Sequence, residues 1–350
     1  MTDKLKEVIE KLITTHSLET DEYELLISNR CDESTKLLAD EAVRVRKAVY
    51  GNSVFIRGLI EVSNICKNDC LYCGIRKSNK HCDRYRLDRE QILKCCENGY
   101  ALGFRTFVMQ GGEDAAFSDG FLCGVISDIK KKYPDCAVTL SLGERSRDSY
   151  QKLYDAGADR YLLRHETANA EHYGKLHPEN LTLSNRIKCL CDLKEIGYQV
   201  GCGFMVGSPH QTDRTLAEDL KFVEQFSPDM CGIGPFVPHT DTPFRSFSAG
   251  SVELTCYLLS IIRIIKPNIL LPSTTAMGTL DPIGREKGIF SGANVVMPNL
   301  SPEETRQKYM LYNNKLNTGA ESAQKLDELK KIIKNIGYEI VCSRGDIKGE

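Results

Sequence analysis

The sequence lacks the features that mark a membrane-spanning, exported or disordered chain. It has no low-complexity segment and no linker rich in Pro or Gly. The most apolar stretch, residues 258–271, contains Arg263, Lys266 and Pro267, so it is too short and too charged to cross a bilayer. The first residues, MTDKLKEVIEKL, form a charged amphipathic pattern without the apolar core of a signal peptide. These absences predict a soluble, cytoplasmic protein.

An excess of charge of one sign is also absent. The 46 Lys and Arg residues nearly balance the 48 Asp and Glu residues, for a formal net charge of −2. Proteins that bind nucleic acid depend on a broad basic field to neutralise phosphates. The balance therefore argues against a nucleic-acid partner, as the missing apolar span argues against a membrane partner.

Cysteine, by contrast, is abundant, with fifteen in 350 residues. Disulfide scaffolds are small, secreted and rich in loops, and this chain has none of these properties. Reduced thiols in a cytosol, some of them binding metal, fit the composition better. Several cysteines, such as Cys95, Cys189 and Cys256, fall in predicted helices, where we expect them to pack as small buried hydrophobic residues.

Eight short apolar runs alternate along the chain with longer segments of helical periodicity. The runs cover residues 54–62, 106–110, 137–142, 161–165, 199–206, 230–236, 269–272 and 294–298. Alternation of this kind predicts a parallel sheet, and eight units are the number of a closed (βα)8 barrel of the TIM type. We predict an N-terminal helical extension over residues 1–50, the barrel over 51–312, and a helical tail packed on the barrel over 313–350.

Three closely spaced cysteines, Cys66, Cys70 and Cys73, follow the first predicted strand. Thiolates are the natural ligands of a cubane iron–sulfur cluster, and three of them leave its fourth iron open. An open metal position is where a substrate can coordinate. The alternative is a zinc site, whose fourth ligand could come from His81 or Cys82.

The string CxxxCxΦC, with Tyr72 before the last cysteine, resembles the signature of the radical S-adenosylmethionine (SAM) superfamily. The resemblance implies one 4Fe-4S cluster whose unique iron is chelated by the amino and carboxylate groups of SAM. One electron from an external donor then cleaves SAM to methionine and a 5′-deoxyadenosyl radical. Residues 110–114, QGGED, resemble the superfamily's GGE motif, which receives the SAM amino group.

Longer strings narrow the resemblance to the FeFe-hydrogenase maturases of the HydE type. They are CLYCGIR, VTLSLGE, RYLLRHETAN, GIGPFVPHTDTP and STTAMGT, and the similarity covers roughly residues 50 to 312. That family implies a role in assembling the di-iron subcluster of FeFe-hydrogenase. Its partners are a small-molecule or organometallic iron precursor and other maturation proteins.

The resemblance also assigns roles residue by residue. It implies that Cys66, Cys70 and Cys73 hold the metal cluster and that no protein side chain is catalytic beyond the cluster and SAM. The implied cofactor-binding residues are Gln110, Gly112, Glu113, Glu166, Arg186, Tyr309 and Tyr312. The implied substrate-binding residues are Thr139, Arg164, Thr274 and Thr275.

Structural alternatives remain open for several of these residues. Arg164 and Glu166 could form an internal salt bridge, and Arg186 taken alone could be a solvated helix residue. Tyr309 and Tyr312 are three residues apart, so one helix turn could place both near the barrel mouth, although core packing is commoner at that spacing.

Some relatives carry a second cysteine group after the barrel, but residues 313–350 contain only Cys342, so we predict a single cluster. Alternative functions are a methylornithine synthase, a biotin synthase or a non-catalytic scaffold that carries a metal precursor. Biotin synthase needs an auxiliary cluster with ligands from several strands, and only Cys202 and Cys231 lie on predicted strands.

Overall fold

The computed structural model describes residues 1–349, and its parallel strands surround a lumen. Six strands pair in the order β2-β3-β4-β5-β6-β8, each parallel to its neighbour. The strands are β1 (Ser53–Ile56), β2 (Gly58–Ser63), β3 (Thr106–Gly111), β4 (Ala137–Ser141), β5 (Arg160–Leu162), β6 (Gln199–Cys202), β7 (Met205–Val206), β8 (Met230–Cys231), β9 (Gly234–Pro235), β10 (Val295–Val296) and β11 (Glu339–Val341).

The ring of strands is completed through β1, which continues into β2 and pairs with β10. Isolated parallel bridges fill the remaining gap, joining Met230 to Leu270, Pro272 to Val295 and Leu59 to Asn299. Each of the eight predicted apolar runs therefore supplies one strand position in the wall of the barrel. The predicted (βα)8 barrel is confirmed.

Helices form the layer outside the strands. Most begin at a hydroxyl or acidic residue whose side chain accepts a backbone N–H of the first turn, as Asp88 does from Gln91 and Ser118 from Phe121. The helices are α1 (Asp3–Thr15), α2 (Thr20–Ser28), α3 (Asp32–Tyr50), α4 (Arg89–Ala101), α5 (Asp119–Lys132), α6 (Arg147–Asp155), α7 (Ala170–Leu176), α8 (Leu183–Ile196), α9 (Asp213–Phe226), α10 (Val252–Ile265), α11 (Thr275–Leu280), α12 (Gly284–Phe290), α13 (Glu303–Arg306) and α14 (Leu326–Asn335).

The strand pleat separates the core from the lumen. Phe107 and Met109 of β3 join the main hydrophobic core. Because successive side chains of a strand point to opposite faces, Thr106 and Gln110 of the same strand face the lumen. In β4, Thr139 faces the lumen between Val138 and Leu140, which join the core. The lumen side of these two strands thus carries the polar residues Thr106, Gln110 and Thr139 together with Val108.

The two ends of the chain pack on the barrel in different ways. In the N-terminal 50 residues, α2 packs against α9 and α3 against α10. The tail differs from the helical tail that we predicted, because it holds β11 as well as α14. β11 pairs in parallel with β1, with Ile340 opposite Val54, and so extends the strand layer. The division into three segments stays a prediction.

No helix within residues 1–349 combines the length and the apolar character that crossing a membrane requires.

Candidate cluster and cofactor site

Cys66, Cys70 and Cys73 lie in the loop between β2 and α4, and all three are partly exposed free thiols. Burial raises the pKa of each thiol, that of Cys73 to about 12. The charges of Cys66 and Cys73 raise the pKa of Cys70 further. Three thiols gathered in one electrostatic environment are the donor set that a soft metal cluster requires.

Arg84 holds the shape of this cluster loop. Its guanidinium donates hydrogen bonds to four backbone carbonyls, those of Asn64 (2.5 Å), Ile75 (2.8 Å), Arg76 (2.6 Å) and Asn79 (3.1 Å). The loop is therefore fixed at both ends by protein contacts that do not use the cysteines. Arg84 was not predicted from the sequence, although its place two residues after Cys82 was a possible signal.

The residues proposed for an alternative zinc site make other contacts. His81 Nδ1 lies 2.8 Å from Asp241 Oδ1, and Cys82 Sγ accepts a hydrogen bond from Asn64 Nδ2 at 3.4 Å. Within the described part of the chain, no three His, Cys, Asp or Glu residues are grouped as ligands of one metal ion, and this includes Cys66, Cys70 and Cys73. His81 and Cys82 thus have protein partners of their own in this structure.

Gly112 lets the loop after β3 touch the cluster loop. A Cβ atom at this position would lie 2.3 Å from the carbonyl oxygen of Ile65 and 2.8 Å from Cys66 Cβ. Its N–H donates to the carbonyl oxygen of Ser63 at 3.0 Å. Close backbone approach to a ligand or another loop is a common reason for glycine, and here that approach brings the QGGED segment against the first cysteine.

Gln110 and Glu113 flank this contact. Gln110 Nε2 donates to Tyr309 Oη at 3.4 Å. Glu113 accepts the N–H of Glu144 at 2.9 Å and lies 3.0 Å from Lys67 Nζ, which follows Cys66. Both side chains therefore connect the loop after β3 to neighbouring segments at the cluster end of the barrel.

The two tyrosines are placed differently from the prediction. Helix α13 ends at Arg306, so Tyr309 and Tyr312 lie beyond it in irregular chain rather than on one helix turn. The segment is held instead by loop contacts, because the Gly74 N–H donates to the Leu311 carbonyl oxygen at 2.8 Å. Tyr309 is nevertheless buried beside Gln110, whereas Tyr312 is only partly buried.

Arg164 and Glu166 form the ion pair that the sequence analysis left open. Arg164 Nη2 lies 3.2 Å from Glu166 Oε2, yet neither atom has a hydrogen-bond partner within residues 1–349. Charged atoms that are buried without hydrogen bonds are costly unless something binds them. The pair therefore leaves hydrogen-bonding capacity for a polar ligand at the end of β5.

Arg186 is buried rather than solvated. Its Nε donates to Glu144 Oε1 at 2.5 Å and its Nη1 to the carbonyl oxygen of Arg164 at 2.7 Å. Burial lowers its pKa, but Tyr173 and Glu144 together raise it above its ordinary value. The guanidinium is thus a permanent cation that already has two partners.

The proposed substrate residues separate into two kinds. Thr139 Oγ1 and Thr274 Oγ1 are buried and, among the described residues, have no hydrogen-bond partner. Thr275 Oγ1 donates to Glu321 Oε2 at 2.9 Å, so its hydroxyl is engaged. Unpartnered hydroxyls on β4 and before α11, together with Arg164 and Glu166, fit a polar group held within the barrel.

The strand segment formed by the first apolar run also carries a buried ionic group that was not predicted from the sequence. Glu61 of β2 is fully buried, with Lys315 Nζ at 2.6 Å from Oε1 and Asn299 Nδ2 at 2.8 Å from Oε2. The Lys315 ammonium also lies 5.5 Å from the Tyr309 ring centroid. An acidic residue inside an apolar run was the signal for Glu61, but nothing local in the sequence indicated its partners.

Comparison with known proteins places these features in one group. A family model described as the radical SAM superfamily matches residues 60–223. The FeFe hydrogenase maturase subunit HydE of Thermotoga maritima is 44% identical over 313 residues, covering 89% of this chain and 88% of that protein. A 3-methylornithine synthase of Methanosarcina acetivorans is 28% identical over 298 residues, covering 84% of this chain and 83% of that protein.

Solved structures of the same architecture agree in fold. The crystal structure of methylornithine synthase (PylB) superposes with a TM-score of 0.84 at 24% identity, over 95% of this chain and 97% of that one. The FeFe-hydrogenase maturase HydG from Carboxydothermus hydrogenoformans gives 0.81 at 19% identity, over 97% of this chain and 79% of that one. At these identities the likeness supports the barrel and not a particular reaction.

Proposed function

This chain belongs to the radical SAM superfamily and, within it, to the family of the FeFe hydrogenase maturase subunit HydE, and we propose that it acts in assembling the di-iron subcluster of FeFe-hydrogenase. It is a radical SAM enzyme, whose cofactors are a 4Fe-4S cluster and SAM. The observation that carries the more specific proposal is the 44% identity to the Thermotoga HydE subunit across nearly the whole chain.

We propose one cluster per chain, held by Cys66, Cys70 and Cys73. When bound, the 4Fe-4S cluster supplies the electron that cleaves SAM reductively. The protein would bind and orient the cluster and SAM and shield them from water. Arg84 fixes the loop that presents the thiols, and Gly112 brings the loop after β3 against Cys66.

The remaining assignments divide the barrel between SAM and substrate. On the SAM side we place Gln110, Gly112, Glu113, Glu166, Arg186, Tyr309 and Tyr312. Glu166 Oε2 has no hydrogen-bond partner among residues 1–349 beyond its ion-pair contact with Arg164, and it would accept hydrogen bonds from ribose hydroxyls. Arg186 keeps its charge at every physiological pH, which suits a carboxylate ligand.

On the substrate side we place Thr139, Arg164, Thr274 and Thr275. A guanidinium and two unpartnered hydroxyls suit an anionic iron precursor or a carboxylate held in the lumen. The partners that we propose are such a precursor, other hydrogenase maturation proteins and an external electron donor. Because all fifteen cysteines are free thiols, a reducing compartment such as the cytoplasm is the proposed location.

Two measurements on the same reconstituted protein test the proposal. The first restores hydrogenase activity in a maturation system that lacks only this component, and we expect activity to return. The second measures release of 5′-deoxyadenosine under reducing conditions with SAM. Restoration without any 5′-deoxyadenosine release would indicate a scaffold, and release without restoration, with methylornithine formed from lysine, would indicate the other enzyme class.

Cluster number is tested by the iron content after anaerobic reconstitution. One cubane gives about four irons per chain and two give about eight. Changing Cys66, Cys70 and Cys73 together to Ala should abolish the bound iron. The matched control is Cys82→Ala, since Cys82 is a half-buried thiol next to the same loop, and its iron content should equal that of the wild type. A wild-type count near eight contradicts the single cluster.

A further inference from the structure

His165 lies on the opposite side of the strand layer from its neighbours Arg164 and Glu166. Its side chain is fully buried, and its ring packs 4.5 Å from the Phe222 ring and 5.8 Å from the Phe204 ring, measured between centroids. Phe222 belongs to α9, so the imidazole sits between the strands and the outer helices. It is therefore absent from the lumen in which we place SAM and substrate.

Asp219 of α9 meets His165 in this layer. Its Oδ1 accepts the N–H of Ala168 at 2.5 Å and lies 3.3 Å from His165 Nε2. The other ring nitrogen, Nδ1, accepts the N–H of Gly203 at 3.3 Å, which places the imidazole proton on Nε2, on the side of Asp219. Nε2 itself makes no hydrogen bond within residues 1–349, so its approach to Asp219 is a close contact. One carboxylate oxygen thus contacts residues on both sides of Glu166.

Burial acts on the pKa of both groups. Burial lowers the pKa of His165 to about 3 and raises the pKa of Asp219 above its ordinary value. Asp219 Oδ2 has no hydrogen-bond partner in the described part of the chain. The Ala168 N–H therefore needs an oxygen acceptor at the Oδ1 position, which a carboxylate and a neutral amide can both supply.

Glu166 itself has an unusual backbone. Its φ is 66°, in the left-handed region that residues other than glycine seldom adopt. Its N–H donates to the Gly203 carbonyl oxygen at 3.0 Å. Such a conformation persists only where the surroundings impose it, and the surroundings here include the contacts of residues 165 and 168 with Asp219.

In this conformation the Glu166 carboxylate lies beside Arg164, with 3.2 Å between Glu166 Oε2 and Arg164 Nη2. Burial is the largest cause that raises the pKa of Cys70 and Cys73, and the charges of neighbouring thiols add to it. The Glu166 charge raises both pKa values further. The carboxylate therefore lies near enough to the thiols for its charge to act on them, although they are far apart in the sequence.

We propose that His165 and Asp219 are positioning residues for Glu166. From outside the strand layer they hold the segment 165–168 in the one backbone shape that turns the Glu166 carboxylate into the lumen. This inference rests on the proposed function, because it takes Glu166 to be a SAM contact.

The test compares two substitutions of Asp219, one that keeps an oxygen acceptor and one that removes it. Asp219→Asn keeps an oxygen acceptor of the same size, whereas Asp219→Leu keeps the bulk and removes the acceptor. SAM affinity is measured on the reconstituted holoprotein from the change in the electron paramagnetic resonance spectrum of the reduced cluster as SAM is added. We expect Asp219→Leu to weaken SAM binding by about tenfold or more, since misplacing a positioned group by about 1 Å costs up to on the order of 100-fold.

In the same experiment Asp219→Asn should bind SAM within about threefold of the wild type, a difference of under about 1 kcal/mol. Iron content should be unchanged in both variants. At saturating SAM, the rate of 5′-deoxyadenosine release by Asp219→Leu should come closer to the wild-type rate than its SAM affinity comes to the wild-type affinity. A residue that only stabilises the fold would not give this separation between affinity and rate.

Leu220→Ala is the control for general loosening of α9. Leu220 is the next residue on the helix and fully buried in the core, and its truncation destabilises the fold without removing the Asp219 contacts. If Leu220→Ala weakens SAM binding as much as Asp219→Leu, or if Asp219→Asn fails to restore affinity, the positioning role is wrong. Wild-type affinity in Asp219→Leu overturns it directly.

Glu166→Gln separates the inference from the proposal beneath it. If this variant binds SAM weakly and Asp219→Leu binds it normally, Glu166 is a SAM contact that needs no support from Asp219, and only the inference fails. If Glu166→Gln binds SAM as the wild type does, the proposed role of Glu166 fails and the inference fails with it.

Discussion

At the scale of single residues, the site depends on one position without a side chain. Gly112 is where the loop after β3 meets the cluster loop, and an added Cβ would fall 2.3 Å from the Ile65 carbonyl oxygen. That carbonyl is backbone, so it cannot move aside as a flexible side chain would. Gly112→Ala should therefore displace Cys66 and reduce both iron loading and SAM binding, at a cost of about 1–3 kcal/mol in the free energy of unfolding.

Gly120→Ala is the matched control for that variant. Gly120 lies in the first turn of α5, and a Cβ there meets no atom within 4 Å. Its replacement should leave iron content unchanged and stabilise the helix by up to about 1 kcal/mol. Iron content and chemical denaturation measure both effects, and full loading of Gly112→Ala would show that the cluster loop tolerates the shift.

A second residue-scale prediction concerns acid. Burial lowers the pKa of His165 to about 3, whereas an unfolded histidine titrates near 6.5. Between these values the unfolded chain binds the proton and the folded chain does not, so the free energy of unfolding falls as the pH falls below about 6.5. One such histidine contributes up to about 1.4 kcal/mol per pH unit in that window.

His165→Asn should reduce this slope, because the replacement has no proton to gain. Urea denaturation at several pH values between neutrality and mild acid measures it, with His81→Asn as the control, since the His81 side chain is 80% exposed. Equal slopes in the wild type and His165→Asn would mean that His165 is not buried as a neutral ring.

Sequence predicted the residues of this site unevenly, and distance along the chain explains why. The cysteine triplet and the pair of Arg164 with Glu166 are local patterns, and the sequence indicated both. Asp219 lies 51 residues from Ala168, and Lys315 lies 254 residues from Glu61. No local pattern connects such partners, so only the folded barrel reveals them.

At the scale of elements, the segment after α13 shows how tertiary contacts replace a helix. The spacing of Tyr309 and Tyr312 suggested a helix turn, but the backbone here is satisfied by two other loops. The Gly74 N–H donates to the Leu311 carbonyl oxygen at 2.8 Å, and the Asn313 N–H donates to that of Pro238 at 3.1 Å. With these groups paired elsewhere, the chain crosses the barrel end without regular structure.

Lys315 anchors this crossing segment to β2. Its ammonium and the Glu61 carboxylate are both buried, so Lys315→Met leaves a charge without its counter-ion. Loss of one partner from a buried pair costs about 3–5 kcal/mol. We expect a loss of that size in the free energy of unfolding, measured by chemical denaturation.

Two comparisons make that measurement specific. Lys330→Met removes a lysine from an exposed pair with Asp327 and should change stability by no more than about 1 kcal/mol. The double variant Glu61→Gln with Lys315→Met removes both charges and should recover part of the loss. A double variant as unstable as Lys315→Met would assign the cost to lost packing rather than to the unpaired carboxylate.

At the scale of the whole molecule, the count of eight apolar runs was enough to predict the barrel, because each run forms one strand position in the barrel wall. The strand in the tail was not predicted. β11 has only three residues, Glu339–Val341, too few to show alternation. Its pairing partner β1 lies almost the full length of the chain away, with Val54 opposite Ile340.

Beyond β11 the tail reaches the end of the barrel opposite the cluster. Arg160 of β5 is fully buried, and its Nη2 donates to Asp346 Oδ1 at 2.5 Å and to the Arg344 carbonyl oxygen at 2.8 Å. Thr106 Oγ1, at the start of β3, donates to the same carbonyl at 2.7 Å. Burial works against ionisation of Asp346, but Arg344 and Arg160 lower its pKa to about 2. The tail thus supplies hydrogen-bond acceptors for the Arg160 guanidinium, which is buried within the barrel.

Removing residues 344–350 should therefore destabilise the barrel without affecting its cofactor end. Arg160 loses both tail partners, and an unpaired buried charge costs on the order of 3 kcal/mol. Iron content and SAM affinity should remain at wild-type values in the folded fraction, since the thiols lie at the opposite ends of the strands. If the truncated chain does not fold, Asp346→Asn gives a smaller version of the same loss, with Glu339→Ala, at the exposed residue of β11, as its control. Unchanged unfolding free energy in Asp346→Asn, or a loss of SAM binding out of proportion to folding, would show that the tail has a different role.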